Sequence, residues 1–488
     1  MPEGIRVDTH KGRFVSVARS VPSMTNERKR GQIVKKFFAL LALIVFVSGT
    51  ACAGEIVFPD AIGSGLKVVS DKMAGSDEMT IRMTCSIDKM NSWDVETPKG
   101  EFTVLHAPNF YFGGAYGAPQ LPVLTKLVQI PVGAEFKIDV KSYDTAEYDL
   151  AKFGITNRIY PRQPSAPKDG SQVPFVYEKS AYISKGFGGM PLTTIKEVGF
   201  LRQMRLVHVA VSPIKYDPVS NKIVVYNNVD FEIVLTGADM AKTRAMHASL
   251  STPAFAWAEE MVVVPQALRF GRNTAPQSYV IVTHPMFKDA IAPFAAWKAE
   301  KGFKVDVVTT DQFGTGAALT EGLKKYLHDR YNNPTADKPA PSYVLFVGDH
   351  EQIPAFKGQT GSHITELYYV AVTPGDFLPD MLTGRFSAQT LDQLTPQIEK
   401  TMEYEKAQFA DPSFLNDAVL IAGWDSGWAK SHGWPHINYA EKYYFNAGHG
   451  FKTVNKYLSA GSQQNVASIQ AAIAKGACYV NYTAHGSS

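Results

Sequence analysis

A change of hydrophobic rhythm near residue 278 limits what this chain can fold into more than any other feature. From Glu55 to about Gly237, apolar and polar residues alternate in short runs such as Phe136-Lys137-Ile138-Asp139-Val140 and Arg205-Leu206-Val207-His208-Val209-Ala210-Val211. A strand turns successive side chains to opposite faces, so period two predicts strands with one face buried. Pro213, Asp217-Pro218 and Asn221 punctuate the end of this region, and Ile223–Tyr226 and Phe231–Leu235 read as a strand pair around Asn227-Asn228. An antiparallel β-sandwich over residues 54–240 is predicted. Residues 241–276 lose the rhythm and read as a linker with some helix, carrying Arg244, Arg269 and Arg272.

From Ser278 onward, continuous apolar runs alternate with amphipathic stretches. Strands are predicted at Tyr279–Val282, Phe303–Val308, Tyr343–Val347, Ala418–Ala422 and Ala477–Thr483. Helices are predicted near 286–301, 316–331, 391–408, 438–447 and 464–475. Apolar strands separated by such helices imply an α/β unit over 277–488, with a mostly parallel sheet covered on both faces. Chemistry in such sheets collects at the carboxyl ends of the strands. The chain is therefore expected to be multidomain, as its 488 residues also suggest.

The N-terminus has the pattern of an export signal. Arg28, Lys29, Arg30, Lys35 and Lys36 precede an apolar run from Phe37 to Val47, and Ala51-Cys52-Ala53 offers a small-residue cleavage site. Residues 1–53 are read as a signal-peptide region with cleavage after Ala53 and translation starting at Met24. Cys52 leaves a lipoprotein reading open. The run is too short to span a bilayer, which takes roughly 20 residues. No transmembrane span is expected after signal removal, and the product is expected to be secreted or held at a bacterial cell surface. Only Cys85 and Cys478 remain beyond the signal, too few for a disulfide framework, and both read as small buried hydrophobes. With 49 basic and 46 acidic residues the net charge is only +3 and gives no basic stripe of the kind that neutralises phosphates, which argues against a nucleic-acid partner.

Two predicted strand ends deliver polar side chains. One runs Val419-Leu420-Ile421-Ala422-Gly423-Trp424-Asp425, the other Tyr479-Val480-Asn481-Tyr482-Thr483-Ala484-His485-Gly486-Ser487. A histidine so placed can serve as a general base, and an aspartate on a neighbouring strand end can orient its ring. Taken alone, a strand-end His-Gly is a weak signal, and the same residues read more readily as a turn histidine and a helix-capping aspartate. His432-Gly433 repeats the dipeptide in a loop, and His350 and His363 show no zinc spacing. Tyr443-Tyr444-Phe445 falls on a predicted helix as core packing.

Asn481 to Ser487 resembles the histidine motif of the gingipain family of cysteine peptidases, whose catalytic domain is caspase-like. Leu420–Asp425, Leu367-Tyr368-Tyr369, Val347-Gly348-Asp349 and Pro293–Asp306 are similar to other segments of that family. The β-rich region resembles the family's propeptide, most clearly at Gly117-Ala118-Pro119-Gln120-Leu121-Pro122-Val123. The resemblance implies a secreted cysteine endopeptidase zymogen acting on proteins or peptides, with its own propeptide as inhibitor. It implies His485 as base, Asp425 as orienting acid and the Gly486 N–H as an oxyanion donor. The nucleophilic cysteine is expected on the next strand, outside this chain, so the sequence is read as a fragment that is inactive alone. Cys478 lies seven residues before His485, roughly 23 Å along one strand. Residues setting the preference at the cleaved bond would also follow the nucleophile.

The resemblance further implies a structural calcium held by Asp349, Asp376, the Leu378 carbonyl and Asp380, an oxygen set that suits a hard cation. Thr373-Pro374 departs from the family pattern there. No cofactor is required for the chemistry. Arg269 or Arg272 is a candidate to occupy the active site before maturation. Two alternatives are a gingipain-like sortase of a protein-export system and a catalytically dead adhesin or binding scaffold.

Overall fold

The computed structural model describes residues 54–165, 173–271, 276–359, 363–423, 433–458 and 465–484. The signal-peptide reading therefore lies outside the described residues. The β-rich region builds β1 (Gly54–Val57), β2 (Gly65–Ala74), β3 (Glu78–Ser86), β4 (Lys89–Thr97), β5 (Gly100–His106), β6 (Tyr111–Gly113) and β7 (Leu121–Ile130). It continues with β8 (Glu135–Asp149), β9 (Arg158–Ile159), β10 (Thr193–Leu201), β11 (Met204–Val211), β12 (Ile214–Asp217) and β13 (Lys222–Thr236). The strands form three sheets, in the orders β1-β4-β5-β9, β10-β11-β7-β6 and β12-β13-β3-β2, with β8 along β13. Pairing is antiparallel apart from β5 with β9. Ile81 and Phe231 from one sheet, Val128 and Val209 from another, and Leu105 from the third share one core. Burying each such side chain stabilises the fold by roughly 1.5–3 kcal/mol.

Residues 222–236 correct the sequence reading. The strand pair expected around Asn227-Asn228 is the single strand β13, which pairs with β8 along its length. Asn228 takes φ 50°, and the register slips between Asn227 and Asp230, so the two asparagines form a bulge. The buried Asn227 amide accepts from the Ile87 N–H at 3.0 Å and donates to the Ile87 carbonyl at 2.9 Å. Asn227→Ala is expected to cost about 2–3 kcal/mol, because both Ile87 groups are then buried without a partner. Urea denaturation measures this, and a midpoint unchanged from wild type would remove the bulge's structural role.

The connecting segment is folded rather than loose. Helices α1 (Met240–Leu250) and α2 (Ala256–Met261) lie within it. Asp239 caps α1 by accepting the Lys242 N–H at 2.7 Å, and Thr243 Oγ1 accepts the Val132 N–H at 2.9 Å. Phe255, Ala258 and Val262 pack with Leu201, Met204 and Leu206 of the β10–β11 hairpin and with Tyr343 and Leu382.

The α/β region contains β14 (Ser278–Thr283), α3 (Lys288–Glu300), β15 (Lys304–Thr309), α4 (Gly316–Asn332) and β16 (Pro341–Val347). The short β17 (Phe356–Lys357), β18 (Ile364–Thr365) and α5 (Leu367–Val370) follow, then β19 (Leu382–Phe386), α6 (Leu391–Lys406) and β20 (Asp417–Ala422). The last elements are α7 (Trp434–Tyr443), β21 (Thr453–Leu458), α8 (Asn465–Ala474) and β22 (Tyr479–Thr483). The sequence rhythm implied one sheet, whereas the structure holds two parallel ones, β15-β14-β16-β19 and β21-β20-β22. Each is covered on both faces, the first by α3 and α6 on one side and by α4 and α5 on the other. Ile437 of α7 packs on Leu420 and Ala422, and Ala472 of α8 packs on Val419 and Ile421. Of the aromatic run expected in the core, only Phe445 packs there, because α7 ends at Tyr443 and leaves Tyr443 and Tyr444 about half exposed.

Candidate active site

The two strands singled out by sequence are neighbours. β20 lies between β21 and β22, and its parallel register with β22 runs from Ala418 opposite Tyr479 to Ala422 opposite Thr483. Beyond the last pair, the Gly423 N–H donates to the Thr483 carbonyl at 3.1 Å. The segments leading to Asp425 and His485 thus leave the same edge of one sheet side by side. Asp425, His485 and Gly486 themselves lie outside the described residues, as do Arg272 and His432. The backbones approach so closely that a Cβ on Gly423 would collide with Ala484 Cβ and lie 2.9 Å from Tyr482 Oη. An added Cβ on Gly433 would lie 3.3 Å from Ala422 Cβ and 3.7 Å from the Thr483 carbonyl.

The described cysteines are badly placed for nucleophilic work. The Cys478 N–H donates to the Phe414 and Asp417 carbonyls, which puts it at the amino end of β20 and β22, opposite the Gly423 edge. Its thiol pKa is raised by burial. Cys85 sits in the β core, where burial pushes its thiol up to about 12. A nucleophile must come within about 3.5 Å of its base as an accessible thiolate. Neither cysteine meets that requirement.

The predicted calcium set is not brought together. Asp349 follows the carboxyl end of β16, where its carboxylate accepts from the His350 N–H at 2.9 Å, Ser387 Oγ at 3.0 Å and Gln389 Nε2 at 3.2 Å. These bonds, led by the His350 N–H, hold its carboxyl below the usual range. Asp380 lies at the other end, beside the first residue of β16, separated from Asp349 by a strand about 20 Å long. Asp376 is near Asp380, but its carboxylate accepts the N–H groups of Phe200 at 2.9 Å and Leu378 at 3.1 Å. Asp380 is fully buried and accepts the N–H groups of Arg202 and Val372, each at 2.8 Å, and the Tyr331 hydroxyl at 3.3 Å. Leu378 packs against the hairpin core. Two acids committed to N–H donors and a third at the far end of a strand do not fit a single cation. Among the described residues, Asp349, His350 and Glu351 are the group whose ligand atoms lie within 4.8 Å of one another, and none of the three is buried.

Sequence reasoning missed Arg202, which holds this corner together. It occupies the two-residue turn between β10 and β11 with φ 55°, an uncommon conformation for a side chain this large. Such turns are normally built from Gly, Asn or Asp, so Arg202-Gln203 at the apex was a readable anomaly. Arg269, one of the two candidates for occupying the active site, donates to the Val264 carbonyl five residues earlier and lines a hollow with His247, Glu259, Glu260 and Phe270. Burial lowers the pKa of His247, against the opposing pull of Glu259. The unfolded chain therefore takes up a proton before the folded one does, so stability present above the ordinary histidine range is lost as pH falls through it. Hydrogen exchange in α1, corrected for its intrinsic rate, is expected to quicken between about pH 7 and about pH 5, and His247→Gln to abolish that change. An unaltered pH response in the variant would exclude His247 as its source.

Comparison with known proteins agrees with both halves of the chain. The model of peptidase family C25 matches residues 272–488, and the C25 propeptide model matches residues 71–251. Lys-gingipain W83 of Porphyromonas gingivalis is 34% identical over 455 residues, which cover 88% of this chain and 25% of that protein. Gingipain R2 of the same species is 23% identical over 463 residues, covering 93% of this chain and 60% of the relative. A solved structure concerning the zymogenic latency of gingipain K is 32% identical and covers 38% of this chain and 98% of its own, with a TM-score of 0.34. The chain thus spans about a quarter of the length of the Lys-gingipains it matches. Among the described residues, no helix is long and apolar enough to cross a membrane.

Proposed function

Because the chain belongs to peptidase family C25 and carries that family's propeptide, we propose that it belongs to an exported cysteine endopeptidase zymogen, made to cleave peptide bonds in proteins. The observation that carries this reading is the adjacency of the β20 and β22 ends, joined by the Gly423 N–H to Thr483 bond. In the proposed mechanism His485 takes the proton of a cysteine thiol, and the thiolate attacks the substrate carbonyl. Asp425 orients the imidazole and stabilises its charged form. The Gly486 N–H donates to the oxyanion. The thiol must be one other than Cys85 or Cys478. The basic, then apolar, then Ala51-Cys52-Ala53 pattern supports export. The β-rich unit is the proposed inhibitor, supported by the propeptide match and by its contacts with the α/β unit.

The test uses a thiol-alkylating peptide probe on the product of the gene read past Ser488. Labelling of one cysteine after the β22 strand, abolished by His485→Ala and strongly slowed by Asp425→Asn, is the expected result. A product with no cysteine in that position, or one the probe leaves unlabelled after removal of the β-rich unit, would favour the binding-scaffold reading instead.

A further inference from the structure

A hollow of about 260 Å³ lies where the β10–β11 turn meets the connecting segment, and every residue that lines it falls between Gln129 and Phe270. The α/β unit contributes nothing to its wall. The Gln129 N–H donates to the Val263 carbonyl and the Val263 N–H to the Leu127 carbonyl, each at 2.9 Å, which pins the segment after α2 to β7 beside the hollow. Three polar residues line it although they are almost wholly buried: Gln203 is 2% exposed, Gln129 3% and His247 8%. Buried polar groups in folded proteins are hydrogen-bonded with few exceptions. Gln203 is such an exception. Its Nε2 donates to Glu259 Oε1 at a long 3.4 Å, and its buried Oε1 has no partner among the described residues.

The hollow also carries charges of both signs that the fold leaves unused. Among the described residues, the Glu259 carboxylate accepts only that long bond. Arg269 spends its Nε on the Val264 carbonyl at 3.2 Å, and among the described residues no carboxylate pairs with its Nη groups. Leu268 and Phe270 add an apolar wall, with the His247 ring edge-on to Phe270 at 5.1 Å. A metal ion does not suit this set, because among the described residues His247, Glu259 and Glu260 do not bring their ligand atoms within 4.8 Å of one another. An acid, a base, two amides and an apolar wall instead match a small zwitterion with an apolar side chain. The volume limits its size, since sites for drug-sized ligands run to roughly 300–1,000 Å³.

We propose that this hollow binds a free amino acid with an apolar side chain, its ammonium between Glu259 and the Gln203 amide, its carboxylate on Arg269 and its side chain against Leu268 and Phe270. The site goes beyond the zymogen reading and takes nothing from the β20–β22 edge. Both charges of the ligand are needed, which separates a free amino acid from a peptide terminus that offers only one of them.

The test titrates leucine, leucinamide and N-acetylleucine into the full chain by isothermal calorimetry. Leucine should bind, and each blocked compound, lacking one charge, should bind about tenfold more weakly or worse. Arg269 is exposed, so Arg269→Ala should fold, as circular dichroism checks, and in it leucine should fall to the level of leucinamide. In Glu259→Gln leucine should fall to the level of N-acetylleucine; should that variant not fold, Arg269→Ala carries the test alone. Hydrogen exchange locates the site: leucine should protect amides of α1 and α2 and leave those of β20 unchanged. No binding of leucine at millimolar concentration, equal binding of the three compounds, a preference for leucine over leucinamide that survives Arg269→Ala, or protection confined to β20 would each overturn the proposal. Binding is read without peptidase activity, so failure of the probe-labelling test would leave this result standing, and the reverse also holds.

Discussion

Replacing Gly199 with valine is expected to loosen the tip of the β10–β11 hairpin by about 3–5 kcal/mol while leaving the β core beneath it intact. Gly199 sits at a register shift in β10 with φ 135°, a conformation that side-chain-bearing residues rarely adopt. A Cβ there would come within 2.5 Å of Asp376 Cβ and 2.7 Å of its Cγ, so strain and collision act together. Asp376 cannot withdraw freely, because the same carboxylate accepts the Phe200 and Leu378 N–H groups. The loss of a hydrogen bond to a charged acceptor adds to the backbone strain. Hydrogen exchange measures the effect locally. The Phe200 and Arg202 amides should speed up together, and amides of β13 should not. Equal acceleration in β13 would mean that the substitution unfolds the whole β unit, and a silent hairpin would mean that Asp376 does not hold the hairpin tip.

Much of the fold was legible because it rests on local periodicity. The alternation at 136–140 and 205–211 lies in β8 and β11, and the apolar runs at 279–282, 343–347 and 418–422 are buried strands. What escaped has identifiable causes. β19, Leu-Thr-Gly-Arg-Phe, and β21, Thr-Val-Asn-Lys-Tyr-Leu, lie at sheet edges, where one side needs no partner and the apolar run is diluted. Asn227-Asn228 has the composition of a turn, but pairing with β8 over the whole of β13 outweighs that local preference and turns the extra residues into a bulge.

The candidate site was legible in unequal measure. Placing Leu420–Gly423 beside Asn481–Thr483 needed only two strand predictions and a parallel sheet, and those strands are indeed neighbours. The acids at 376 and 380 were recognised as oxygens that would gather positive charge, which is sound chemistry. Their partner in the fold is a guanidinium and two N–H groups from a turn some 178 residues earlier in sequence, and spacing within the loop carries no trace of so distant a contact. The family resemblance groups Asp349 with them, and sequence distance does not reveal that β16 separates Asp349, past its carboxyl end, from Asp380 beside Pro341.

Gly423→Ala is expected to slow peptide hydrolysis, and labelling by a thiol-directed probe, about a hundredfold in a product that contains the nucleophilic cysteine. The added methyl would overlap Ala484 Cβ and press on Tyr482 Oη at 2.9 Å, so one of the two strand ends has to yield. β20 is the central strand of its sheet, with Leu420 and Ala422 fully buried, and is the harder to move. Among the described residues, β22 pairs only with β20, and Tyr479, Val480 and Tyr482 are exposed, so the shift falls on β22 and on Ala484. His485, the proposed general base, is the very next residue in sequence, and a displacement of about 1 Å at such a group is enough to cost roughly two orders of magnitude. The core of the small sheet is untouched, so the melting temperature should change by no more than a few degrees. Unimpaired hydrolysis in this variant would show that the β22 end does not position the base, and a chain that fails to fold would show that the contact is needed by the sheet itself. The conservative control is Ala484→Gly in the same chain, which removes the collision and should restore most of the lost rate.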